Sequence, residues 1–148
     1  MIERDELGVP ARGLRQYLLL VANALDSPAW YCEVVVPANA YVALEGSIPR
    51  HPDQAMALLW DERNGWAAAI ESPSGDDMFI LAYLGGDVLA SPDAVMAFVR
   101  AFYADGYPGR PDPPGLRVPG EPDGFDDLLA SHADGGDRLP DAPSPSGA

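Results

Sequence analysis

Lysine is absent from this 148-residue chain, cysteine occurs once and histidine twice. Its apolar runs, such as Tyr17 to Ala22, fall far short of the roughly 20 residues a membrane helix needs. Each shortage excludes something. All nine basic residues are arginine, set against 23 acids, so the formal charge is −14. Such a surface repels phosphate backbones and anionic lipid, which disfavours direct nucleic-acid or membrane binding and leaves basic partners open. Cys32 alone forms no intrachain disulfide and no cysteine-based zinc site, so the chain needs no oxidising compartment. The charged start, Met1 to Glu6, leads into no signal-peptide apolar core. These features together imply a soluble, cytoplasmic protein.

What is present reads as one α+β domain. The stretch Gln54 to Glu71 organises it, with two apolar runs flanking Asp61-Glu62-Arg63-Asn64-Gly65. Asn-Gly between apolar runs is a hairpin signal, because both residues tolerate positive φ. With a loop of either three or five residues, parity places Met56, Leu58, Trp60, Trp66, Ala68 and Ile70 on one face, which needs cover.

Before this hairpin, residues 1–9 read as a flexible leader. From Pro10 to about Leu25, the residues Leu14, Tyr17, Leu18, Val21 and Leu25 recur at helical spacing, and Asp26-Ser27-Pro28 ends the helix. Trp30 to Val36, rich in aromatic and β-branched residues, and Tyr41 to Glu45 read as a strand pair. Trp30, Cys32, Val34 and Val36 share a uniformly apolar face, with Tyr31, Glu33 and Val35 opposite. Met78 to Leu84 is apolar on both faces, which suits a central strand or one covered on both sides. Ser91-Pro92-Asp93 then opens a helix: the serine caps a first-turn amide, proline lacks the amide that has no partner there, and aspartate faces the positive helix end. Val95, Phe98, Val99 and Phe102 form its buried stripe, and Asp105-Gly106 supplies a left-handed stop. The expected plan is an N-terminal helix, a meander of about five antiparallel strands, a C-terminal helix on the sheet, and then a tail.

The domain is expected over residues 10–105, with residues 106–148 a disordered acidic tail. Nine of the sixteen prolines lie beyond Asp105, and from that residue onward nine acids face three arginines, −6 of the total charge. Too little apolar surface is available there to offset the entropy of ordering. One island interrupts it, Gly124-Phe125-Asp126-Asp127-Leu128-Leu129, an acidic-hydrophobic motif of the kind that folds as a helical turn into a partner's groove. The blander alternative docks Phe125 and Leu128 on their own domain.

The chain offers little for catalysis. A serine or cysteine nucleophile needs a base in reach, yet His132 falls in the expected tail and His51 lies in the loop Pro49 to Asp53 without a second histidine or cysteine beside it. The pairs Asp61/Glu62 and Asp76/Asp77 sit in turns, where aspartate is favoured by its backbone hydrogen bonds and by solvation. Gly85-Gly86 lacks the spacing and the following helix of a phosphate loop. No catalytic constellation, cofactor or metal site is expected, and the chain does not read as an enzyme.

Leu58-Leu59-Trp60-Asp61-Glu62-Arg63-Asn64-Gly65-Trp66, followed by Gly85-Gly86-Asp87, Ser91-Pro92-Asp93-Ala94-Val95 and Phe98-Val99, resembles a family of small actinobacterial domains of unknown function, of the Streptomyces type. The likeness runs from about Leu14 to Phe102. High alanine, arginine without lysine, and abundant proline and glycine suit the same GC-rich source. The resemblance implies a fold and a bacterial setting and brings no site residues with it.

The function expected from these residues is that of an acidic protein-interaction module, possible in regulation, with Trp60, Trp66, Phe125, Leu128 and Leu129 as candidate contacts. Its partner is a protein of unknown identity, and self-association is compatible with the sequence. Two alternatives are a small-ligand domain with a pocket between helices and sheet, and an acidic mimic of nucleic acid.

Overall fold

The computed structural model describes residues 2–3 and 8–137. Its elements are β1 (Ile2–Glu3), α1 (Val9–Ala24), β2 (Trp30–Glu33), β3 (Val35–Val36), β4 (Asn39–Ala43), β5 (Met56–Asp61), β6 (Gly65–Glu71), β7 (Met78–Tyr83), α2 (Pro92–Tyr103) and α3 (Phe125–Asp137). Five strands form an antiparallel meander in the order β2-β4-β5-β6-β7, and β1 pairs separately with β3.

The hairpin at its centre closes over three residues, since Asp61 pairs with Gly65 and Trp60 stands opposite Trp66. Gly65 takes φ 72°, while the Asp61 carboxylate accepts the amides of Arg63 and Asn64, both at 2.8 Å. Alternation then sorts the side chains. Ala40, Val42, Met56, Leu58, Trp60, Trp66, Ala68 and Ala82 enter one core with Leu14, Tyr17, Leu18 and Val21 of α1 and Val95, Phe98, Val99 and Phe102 of α2. Each fully buried Leu, Val or Phe contributes roughly 1.5–3 kcal/mol there. At the start of α2, the Ser91 hydroxyl accepts the Ala94 amide at 3.1 Å and Pro92 is the first helical residue.

The expected α+β plan is therefore the observed one, with three differences of detail. Trp30 to Val36 is divided at the buried Val34 into β2 and β3 instead of forming one strand. Strand β7 is an end strand, neither central nor covered on both sides: Phe79 is 52% and Ile80 41% exposed. Its outer edge receives the backbone of Arg110, which exchanges hydrogen bonds with Tyr83 at 2.7 and 2.9 Å. That approach needs Gly109, at φ 79°, because a methyl group there would overlap the Tyr83 carbonyl.

The third difference is the extent of order. The described fold continues past Asp105, which itself takes the left-handed turn at φ 65°. From Arg110 the chain passes to the hairpin tip, where the Gly115 amide donates to Asn64 Oδ1 at 3.0 Å and Leu116 to the Arg63 carbonyl at 2.6 Å. Helix α3 then lies along α1, burying Phe125, Leu129 and Ala133. Those three residues recur every four positions, a stripe too sparse to show in the composition of an acidic, proline-rich segment. Residues 138–148 of the expected tail, and Met1 and residues 4–7 of the expected leader, lie outside the described residues.

Candidate functional site

The two hairpin tryptophans are anchored inside. Trp60 and Trp66 are each 1% exposed. The Trp60 indole donates to the Val88 carbonyl at 2.7 Å. The Trp66 indole donates to the Tyr17 hydroxyl at 2.9 Å, and that hydroxyl donates in turn to the Ala90 carbonyl. A buried indole needs such a partner, and both have one within the chain. Phe125 and Leu129 are also buried, so of the five expected contact residues only Leu128, 48% exposed, reaches solvent.

Glu62 departs from the solvated turn acid that the sequence suggests. It is wholly buried and faces the Arg117 guanidinium, with Nη1 to Oε2 at 3.5 Å. Arg117 also grips Asp123 through two hydrogen bonds of 2.9 and 3.1 Å and lies over the Phe125 ring at 4.1 Å. The bond from Arg117 holds the Asp123 carboxyl below its ordinary range. A cleft of about 240 Å³ opens beside this group, lined in part by Val88, Leu116 and Leu128. Two others, of about 200 and 190 Å³, lie against α2. All three are smaller than the roughly 300–1,000 Å³ usual for ligand sites. None is lined by either tryptophan of the sheet core, where a pocket between helices and sheet was expected.

His51 belongs to a tight turn, its amide bonded to the Ile48 carbonyl at 3.0 Å. Among the described residues, no group of three or more His, Cys, Asp or Glu is placed to hold a metal, and no helix is long and apolar enough to cross a membrane.

The sheet face turned away from the helices is different in kind. One row crosses the strands in register, Tyr31, Tyr41, Leu59, Ala67 and Tyr83. Beside it runs Ala43, Ala57, Ala69 and Ile80. Ala57, Ala67 and Ala69 are themselves buried, at 0–3% exposure, between Tyr41 and Leu59 on one flank and Tyr83 and Ile80 on the other, so the accessible surface of this face is that of the larger side chains. Tyr31 is 60% exposed and stacks on Tyr41, ring centroids 5.3 Å apart and planes 16° from parallel. Burial, then the charge of Glu71, then Tyr31 push the Tyr41 hydroxyl's pKa up. By strand alternation Glu33 and Asp61 stand at the hairpin-tip end of this face, and Glu71 at the other. Sequence parity had set Tyr31 and Glu33 apart from the apolar face of their strand, and that alternation was the available signal for these residues.

No curated protein and no solved structure matches the chain. A family model does match, over residues 17–101, which takes in the second half of α1, the whole five-stranded sheet and all of α2 but Phe102 and Tyr103. That is more than half of the chain, and the protein therefore belongs to DUF6292, a family of unknown function.

Proposed function

We propose that this protein is a non-enzymatic interaction module that docks another protein on the face of its sheet opposite α1 and α2. One observation carries the reading: Tyr31, 60% exposed, and Ile80, 41% exposed, stand on that face with Tyr41 and Tyr83, while the core cluster on the other face is built without them. Aromatic side chains with exposed rings are favoured at interface centres, where they bury large area at low entropic cost. The three clefts described above are small, which favours a broad protein contact over a small ligand at those places.

Affinity recovery of the full chain from its native cell extract tests the proposal. Wild type should bring down a stoichiometric partner, and Tyr31→Ala combined with Tyr83→Ala should lose it while keeping the far-ultraviolet circular dichroism of the wild type. A chain that stays alone and monomeric under gentle lysis, or a double variant that retains the same partner, would overturn it.

A further inference from the structure

Strand β7 closes one side of the sheet, and its outer edge is apolar on both faces. Met78-Phe79-Ile80-Leu81-Ala82-Tyr83 carries no charge in a chain of net −14. Phe79, in register with Ile70, stands on the helix side and is 52% exposed; Ile80, in register with Ala69, stands on the other and is 41% exposed. Such a strand is suited to neighbours on both sides, yet among the described residues only Arg110 pairs with its outer edge, at Tyr83. The ladder fixes which groups stay open there. Leu84 donates to the Trp66 carbonyl, so the even-numbered residues of β6 bond toward β7. Ile70 is one of these and faces Phe79, which turns the Phe79 amide and carbonyl inward and those of Met78 and Ile80 outward.

We infer that a second copy of this chain occupies that edge, β7 lying antiparallel to β7 about a twofold axis perpendicular to the sheet, so that the two sheets join into one. Pairing Met78 of each copy with Ile80 of the other uses the outward groups of both and sets the two Phe79 rings opposite each other. Three observations favour a copy over an unrelated strand. First, β7 is itself a strand of the required kind, so each copy covers the Phe79 and Ile80 of the other. Second, the seam between Met78 and Tyr83 holds no carboxylate, whereas the strand at the opposite end of the sheet, β2, carries the exposed Glu33. Third, an antiparallel pair sets the entry of each strand beside the exit of the other, which brings the exposed Asp76 and Asp77 of one copy toward the exposed Arg110 of the other. The bulge in the β6–β7 ladder and the Arg110 bond at Tyr83 confine the pairing to a short stretch, which suits a reversible dimer. The face opposite α1 and α2 stays open in this dimer, because the twofold axis keeps like faces on the same side.

Sedimentation of the full-length protein over a concentration series tests this. The mass should rise from monomer toward dimer with concentration; a chain still monomeric at about 1 mM would overturn the inference. Ile80→Lys should weaken the dimer roughly tenfold or more. Tyr31→Lys, which makes the same change of charge on β2, should shift it by less than about twofold. Both variants lower the net negative charge, so relief of general repulsion alone would strengthen association in each. A dimer kept by Ile80→Lys, or lost on Tyr31→Lys, would overturn the assignment to β7. Crosslinking reads the register separately. In a Cys32→Ser background, Phe79→Cys should give a covalent dimer under mild oxidation, since opposed residues of a non-hydrogen-bonded pair approach closely enough for a disulfide. Tyr31→Cys in the same background should not, and equal crosslinking of the two would mean random collision and overturn the pairing. A dimer that captures no other protein would end the docking reading alone; a monomer that holds a partner through Tyr31 and Tyr83 would end this inference alone.

Discussion

The indole N–H of Trp66 ends on the hydroxyl of Tyr17, 2.9 Å away and 49 positions earlier in the chain. Since that hydroxyl also donates to the Ala90 carbonyl, one oxygen ties β6, α1 and the loop before α2 together. Tyr17→Phe keeps the ring and leaves a buried indole and a carbonyl without it. The expected cost is about 1–3 kcal/mol, seen as a lower thermal midpoint with the family-matched fold retained at room temperature.

Alkaline titration should expose the same oxygen. Burial raises the Tyr17 pKa well above its ordinary 10.0; the Trp66 hydrogen bond opposes this and the Asp87 charge adds to it. The unfolded chain therefore loses this proton first. Stability linked to Tyr17 is complete below about pH 10 and falls as the pH rises beyond it. Denaturant unfolding measured from pH 8 upward should show that decline in wild type and a shallower one in Tyr17→Phe.

Local chemistry made much of this architecture legible. Asn64-Gly65 announced the hairpin, alternation from Met56 to Ile70 named the covered face, and Ser91-Pro92 marked where α2 begins. What escaped depends on residues distant in sequence. Glu62 looks like any turn acid until Arg117 arrives beside it, and the indole partners at Val88 and Ala90 are backbone carbonyls, which no side-chain pattern advertises. Alternation separated Tyr31 and Glu33 from the core. It did not say that, among the described residues, the opposite face of the sheet would be left without a helix, because that depends on which side α3 takes, and α3 follows α1.

Gly13 is where that choice is made. A methyl group at this position would overlap the Leu129 carbonyl, so the two helices approach this closely only because α1 has glycine there. In a free helix, Gly→Ala stabilises by about 1 kcal/mol. Here Gly13→Ala should instead destabilise, by roughly 1–3 kcal/mol, as overpacking does. Hydrogen exchange should rise across residues 125–133 and stay unchanged in β5 and β6.

Leu128 and Leu129 are adjacent and should respond in opposite ways. Leu129 has no exposed surface and Leu128 is 48% exposed. Leu129→Ala should cost about 2–5 kcal/mol through the cavity it leaves. Leu128→Ala should stay within about 0.5 kcal/mol. Chemical denaturation of the two variants compares them directly, and a partner that reads the acidic-hydrophobic motif itself would be lost on Leu128→Ala with stability preserved.

Arg117 serves two carboxylates and a ring at once. Its guanidinium forks onto Asp123, faces the wholly buried Glu62 at 3.5 Å and covers Phe125 at 4.1 Å. Removing one member of a buried ion pair typically costs roughly 3–5 kcal/mol, since the remaining charge has lost a counter-charge away from water. Arg117→Ala should approach that range and loosen α3 first, because Phe125 and Asp123 lead into it. Arg117→Lys keeps the charge and loses the planar fork, so it should fall between wild type and alanine. Thermal melts of the three proteins order them, with Glu62→Gln in the Arg117→Ala background as the deciding variant: stability should partly return, because the amide carries no charge to bury. If Glu62→Gln worsens the alanine variant instead, the cost of Arg117 lies in its stacking on Phe125 and its grip on Asp123, and the buried pair contributes little.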